Sequence, residues 1–185
     1  MENVFVFSVS SEEDIKITLK QTESPLDLVK INYQSPKSTF VLHEDEIAFG
    51  AIETFGVMLN KAIQGELQLA PEYQLLGAGY HWNILTHQIP DCGPFDENPL
   101  EKFWLWSTPS SNGIQTWMYN INGNICIELS PNYSWHFTEP KVNDEYHSFE
   151  SFIKNFSIVK RFSINVVKAR LWHNKYEEIL ESISK

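Results

Sequence analysis

Only two cysteines, Cys92 and Cys126, occur in the chain. Two are too few for a disulfide framework, and their spacing suits no metal site. A reducing, cytoplasmic setting is the expectation. Basic residues are also scarce, with 14 Lys and Arg against 24 Asp and Glu and a net charge of −10 at pH 7. That balance disfavours nucleic acid as a partner and favours a basic protein. No apolar run approaches the ~20 residues needed to span a bilayer. The opening "MENVFVFSVSSEED" lacks the basic start of a signal peptide and alternates like a strand. Catalytic signatures are missing too: there is no G-x-S-x-G, H-E-x-x-H, C-x-x-C or Walker loop.

What is present suits one α+β domain over residues 1–185, with 42% hydrophobic and 14% aromatic content. "NVFVFSVS" (3–10), "DIKITLKQ" (14–21), "LDLVKINYQ" (26–34) and "STFVLH" (38–43) read as an N-terminal antiparallel meander. The period then turns helical. Ala48, Ala51, Ile52, Phe55, Leu59, Ala62 and Ile63 form one stripe, predicting a helix over about 46–65. Glu44, Asp45 and Glu46 fit its start, where a helix dipole favours acids, and Gly50 and Gly56 weaken it slightly or let a neighbour approach closely. Residues 66–101 lose periodicity, with a short strand expected at most around 82–88. A long irregular stretch of this kind is usually functional.

"KFWLWS" (102–107) reads as a central strand, and "QTWMYNINGNICIELS" (115–130) as a hairpin. Two loop lengths compete in that hairpin. Asn122-Gly123 suits a two-residue turn. Keeping Trp117, Tyr119 and Ile121 on one face with Ile125, Ile127 and Leu129 demands a three-residue loop, pairing Ile121 with Ile125. Burial of each large side chain is worth ~1.5–3 kcal/mol, so the expectation follows the pattern. The other face, with Met118, Asn120, Cys126 and Glu128, would then meet solvent, a helix edge or a partner. A short helix at 147–156, a strand at "SIVKRFS" and a helix over 164–184 capped by Ser163 complete the chain. Ile164, Val167, Leu171, Ile179, Leu180 and Ile183 are expected on the last helix's buried side.

Candidate chemistry is sparse. "GAG" at 77–79 fits a turn better than a phosphate site, and His81 and His87 are weak metal candidates; no metal or cofactor is expected. The tryptophans are more informative. Trp104, Trp106 and Trp117 suit the core, whereas Trp82 and Trp135 lie in polar stretches and suit either core or surface. "PDCGPFDENPLE" (90–101) and "PNYSWHFTEPKVNDE" (131–145) combine aromatics with acids, the mixture of a protein-binding hot spot. Between residues 87 and 150 there are nine acids and two bases. On charge and loop position, the candidate partner-binding residues are Asp91, Asp96, Glu97, Tyr133, Trp135, Glu139, Asp144 and Glu145.

"FWLWSTPSSNGIQTWMYNINGNICIELSPNYSW", followed by "SFESFIKNF" and a closing helix, resembles small acidic immunity proteins of bacterial toxin–immunity systems. Those of contact-dependent growth inhibition and other polymorphic toxins are included. The resemblance covers about 102–185. It implies a cytoplasmic protein without enzymatic activity that binds a cognate toxin domain, often a basic nuclease, at its active site or an exosite. It leaves the oligomeric state open and transfers no site residues. Two other classes remain: an acidic adaptor with a non-toxin partner, and a ligand binder or enzyme using His81, Trp82 and His87.

Overall fold

A computed structural model describes residues 2–20, 28–88, 98–107, 113–142 and 144–183, with the backbone alone at 45–47. Alternating residues in the first quarter of the chain build a four-stranded antiparallel sheet in sequence order. Its strands are β1 (Glu2–Ser8), β2 (Asp14–Lys20), β3 (Leu28–Gln34) and β4 (Thr39–Ile47). Ile15 lies opposite Tyr33, Ile17 opposite Ile31 and Leu19 opposite Val29, so every second side chain joins one buried face.

Helix α1 (Ala48–Gln64) follows directly. Glu44, Asp45 and Glu46 belong to the end of β4, not to the helix, whose first turn holds no acid. Glu44 pairs instead with Lys30 on the neighbouring strand. The forecast stripe is otherwise the buried one, widened by Gly56 and Met58. At Gly56 a Cβ would stand 2.1 Å from Cζ of Tyr176, so the ring packs straight onto the backbone.

The 66–101 stretch departs most from expectation. It forms a short turn of helix, α2 (Pro71–Gln74), and a full helix, α3 (Gly77–Gln88), where a strand was expected. Its inward residues include Gly77, Gly79, Asn83 and Thr86, which hide the hydrophobic period. A 3₁₀ turn at Glu101–Phe103 leads to the second antiparallel sheet. That sheet runs β5 (Trp104–Ser107), β6 (Ile114–Ile121), β7 (Asn124–Pro131) and β8 (Lys160–Ile164) in order. Among the described strands "WLWS" pairs with β6 alone, so it is an edge and not central.

The hairpin takes the two-residue turn. Ile121 pairs with Asn124 and Tyr119 with Cys126, with Asn122 at φ 50° and Gly123 at φ 76°. The two apolar rows thus point to opposite faces, and both faces are covered. Met118, Asn120, Cys126 and Glu128, expected on one face open to solvent, a helix edge or a partner, divide between the two faces and are all buried. Helix α4 (Phe149–Lys154) is capped by Ser148, and α5 (Val166–Ile183) closes the fold. Asn165, not Ser163, caps α5: its side-chain oxygen accepts from Lys168 N–H at 2.8 Å. Ile164 lies in β8, Val167 and Leu171 face solvent, and the buried row is Ala169, Trp172, Tyr176 and Ile179.

Phe55 on α1 ties these layers together. Its ring meets Phe7 of the first sheet at 5.2 Å, Trp106 of the second at 5.3 Å and Trp172 of α5 at 6.4 Å. Tyr33 stacks on Phe162 at 5.8 Å and makes a second bridge between sheets. Among the described residues, no helix is long and apolar enough to cross a membrane.

Candidate functional site

The turn choice brings a carboxylate to the start of α3. Glu128, fully buried on β7, accepts from Gly79 N–H at 2.9 Å, Tyr119 O–H at 2.5 Å and Arg161 Nη2 at 2.9 Å. The exposed amides at a helix start suit an anion, and here the protein supplies its own. Gly77 sits at φ +89°, and a Cβ there would lie 2.2 Å from Glu128 Oε2. A Cβ on Gly79 would lie 1.8 Å from Ser130 Oγ. The "GAG" glycines thus let α3 settle onto β7 and its carboxylate. Burial, then the charge of Glu128, pushes the Tyr119 phenol far up, so it stays a donor.

One turn further on, Asn83 clamps the chain that follows β7. It is fully buried and uses its whole hydrogen-bonding capacity. Its amide donates to the carbonyls of Gly79 at 2.8 Å and Pro131 at 3.2 Å. Its oxygen accepts from Tyr133 N–H at 2.9 Å and from Nε2 of His136 at 3.0 Å. That contact assigns the His136 proton to Nε2 and leaves Nδ1 buried without a partner. Burial, and secondarily the charge of His87, drives the His136 pKa down to about 4. The Tyr133 hydroxyl donates to the carbonyl of His147 at 3.1 Å and ties the far end of the same loop to its start. Burial, then the Tyr146 hydroxyl, pushes the Tyr133 phenol up to about 12.

Between these pinned ends, residues 134–147 contain no helix or strand among those described. A loop with closed ends is a frequent carrier of function. Its base packs on rings: Tyr133 meets Phe149 at 5.2 Å and Phe152 at 5.3 Å, and His87 stacks on Phe149 at 3.7 Å. Its outer part projects Phe137, Val142 and Tyr146, exposed by 72%, 102% and 54%. Glu139, Asp144 and Glu145 are exposed beside them. Among the described residues no ion pair reaches these three acids. Trp135, half-buried, lies 6.4 Å from the Tyr146 ring. Beneath the loop, against α4, opens a groove of about 450 Å³ that includes Trp135, Glu145 and Phe152 in its walls.

Four of the eight sequence candidates, Trp135, Glu139, Asp144 and Glu145, therefore share one projecting loop. Tyr133 is the correction: at 5% exposure its ring belongs to the loop's base and cannot enter a partner's pocket. Asp91, Asp96 and Glu97 lie outside the described residues. Trp82 resolves to the core, against Trp104 at 5.6 Å and Trp117 at 5.9 Å. His81 packs on Tyr73 at 4.8 Å, whereas Trp82 and His87 both meet the His136 ring, at 5.5 and 5.7 Å. No group of three His, Cys, Asp or Glu among the described residues is placed to hold a metal.

The candidates missed are Phe137, Val142 and Tyr146. A signal for them existed. Phe137 lies between Pro131 and Pro140 and the other two follow Pro140, in a stretch with no period of two or 3.6, so no core face awaits them. No protein-family description, curated protein or solved structure matches the chain.

Proposed function

We propose that the chain is a non-enzymatic interaction domain, acting in the cytoplasm, that grips a basic protein partner with the 134–147 loop. Following the resemblance to immunity proteins, the partner is a cognate toxin domain that the loop covers at its active site or an exosite. One observation carries the reading: three large apolar side chains stand exposed within ten residues of a loop anchored at both ends. Isolated exposed apolar residues need no explanation, but a cluster on an anchored support marks a contact surface. Anchoring matters because a pre-ordered loop loses little entropy on binding. The unpaired acids supply attraction and orientation toward a basic surface.

Co-purification with the tagged chain tests this. A salt-sensitive, stoichiometric complex with a toxin domain is expected, together with loss of toxin inhibition when the loop is altered. Phe137→Ala and Tyr146→Ala should each weaken the complex by about 2 kcal/mol, the threshold of a hot spot. Lys at Glu139, Asp144 and Glu145 should slow association about tenfold at low salt and little at high salt. Unfolding midpoints should stay unchanged, since these side chains are exposed. Capture of a non-toxin protein through the same residues would shift the reading to an adaptor. Undiminished binding by all five variants would remove the loop from the interface.

A further inference from the structure

The groove under the loop has a composition that narrows what it accepts. Tyr133, Trp135 and Phe152 give it aromatic walls, and Ser134, Ser151, Asn132 and Asn155 are polar neighbours. Among the described residues that line it, none is Lys or Arg, and the one carboxylate is Glu145. The hydroxyls of Ser134 and Ser151 and the ring of His147 can donate or accept within it. The amide of Asn155 is already committed to the carbonyl of Ser151 at 2.8 Å. One carboxylate among aromatic rings suits a ligand that carries positive charge on a flat, stackable group.

We infer that the groove takes an arginine side chain of the protein partner. This rests on the reading of the loop as a protein-binding surface. A guanidinium is planar, weakly hydrated and stacks on aromatic rings, and it can meet a carboxylate with two donors at once. Glu145 supplies that carboxylate and Trp135 the ring. Lysine fits less well. Its ammonium is strongly hydrated, has no flat face to lay on Trp135, and cannot form the paired contact to Glu145. The groove therefore adds a specific pocket to the general attraction of the acidic loop. It distinguishes partners that present an arginine here from those that are merely basic.

The test uses the full chain and three blocked tripeptides, Gly-Arg-Gly, Gly-Lys-Gly and Gly-citrulline-Gly, titrated by amide and indole NMR. Citrulline keeps the shape of arginine and removes its charge. The Arg peptide should shift the Trp135 indole and the Ser151 and Asn155 amides saturably. Citrulline should bind about tenfold more weakly, as expected for one lost charge-assisted hydrogen bond. Glu145→Gln should cost the same factor, whereas Asp144→Asn, an equal charge change outside the groove, should cost little. Equal binding of Arg and citrulline peptides would overturn the inference, as would equal binding of Arg and Lys. Shifts centred elsewhere, no saturation, or equal effects of Glu145→Gln and Asp144→Asn would also overturn it. The two readings fail separately. If the Arg peptide misses the groove while Phe137→Ala still weakens partner capture, the arginine pocket is wrong and the interaction surface stands. If the peptide binds there and no protein partner is captured, the pocket stands without the proposed function.

Discussion

Gly50 and Gly56 occupy the same helix and have opposite surroundings. Nothing lies within 4 Å of a Cβ built on Gly50, whereas one on Gly56 meets the Tyr176 ring at 2.1 Å. Tyr176 is buried, so its ring has no open space to swing into. Gly50→Ala should therefore stabilise the protein by about 0.5–1 kcal/mol through backbone entropy alone. Gly56→Ala gains the same entropy and loses more by overpacking, for a net loss of about 1–3 kcal/mol. Urea midpoints at unchanged m-value measure both. Stabilisation by both substitutions would mean that α5 can move away from α1. The difference was partly legible, since Gly56 falls four residues after Ile52 on the apolar stripe and Gly50 falls off it. Asn83 was not legible. An asparagine in an aperiodic stretch reads as a loop residue, and only its four partners, three from beyond residue 130, reveal a clamp.

At the level of elements, the hairpin shows when hydrophobic pattern ceases to set register. Pattern decides when one face meets the core and the other meets water. Here α3 covers one face of β6 and β7, and α1 with the first sheet covers the other, so either alternation is buried. Turn chemistry is left to decide, and Asn122-Gly123 holds the positive φ values of a two-residue loop. Three of the polar side chains buried in this register are satisfied: Glu128 by three donors, Ser130 Oγ by the Trp117 indole at 2.9 Å, and the Asn120 amide by the Ala62 carbonyl at 2.9 Å. The buried Gln115 amide and Thr116 hydroxyl have no hydrogen-bond partner among the described residues. Converting Asn122 and Gly123 together to alanine should cost about 2–3 kcal/mol, since each would hold a left-handed conformation at ~1–2 kcal/mol. Cross-strand NMR contacts should still join Ile121 to Asn124. A new Ile121–Ile125 contact would show that packing can support both registers. The meander and α1 were legible because each buries one side. Helix α3 was not, because polar and glycine residues fill its inner face. The buried row of α5 was misplaced because Val167 and Leu171 offered an equally good apolar spacing, while Lys168 and Lys175 had uses the spacing hides. They donate to the carbonyls of Val9 at 2.9 Å and Val6 at 2.8 Å along β1, covering a sheet edge.

Across the whole molecule, the charge asymmetry of the chain becomes an internal device. Residues 1–150 hold 21 acids and 7 bases, and residues 151–185 hold 3 acids and 7 bases. Several C-terminal bases are spent inside: Lys160 on Glu13 at 2.5 Å, Arg161 on Glu128, and the two α5 lysines on β1. The acids of the 134–147 loop receive none of them and remain available to a partner. That loop is also where acid should first weaken the fold. His136 is held neutral in the folded state down to about 4, against an ordinary 6.5. Its Nδ1 has no acceptor to receive a proton's hydrogen bond. Below 6.5 the unfolded chain therefore takes up a proton that the native chain refuses, and stability falls with pH until about 4, then falls no further on this account. His81, also depressed chiefly by burial, adds to the loss on its way down from 6.5. The carboxyl of Glu13, lowered by its hydrogen bond to Lys160, acts in a separate window: its contribution is lost only as pH falls below 4.5. Stability measured from neutral pH downward should thus decline first between 6.5 and about 4, with amide exchange accelerating at Tyr133 and His136 before the β1–β4 sheet. His136→Gln can keep a donor to Asn83 and has no proton to gain, so it should flatten most of that decline. An unchanged slope in this variant would assign the acid sensitivity to other groups and leave the loop anchored wherever the rest of the fold survives.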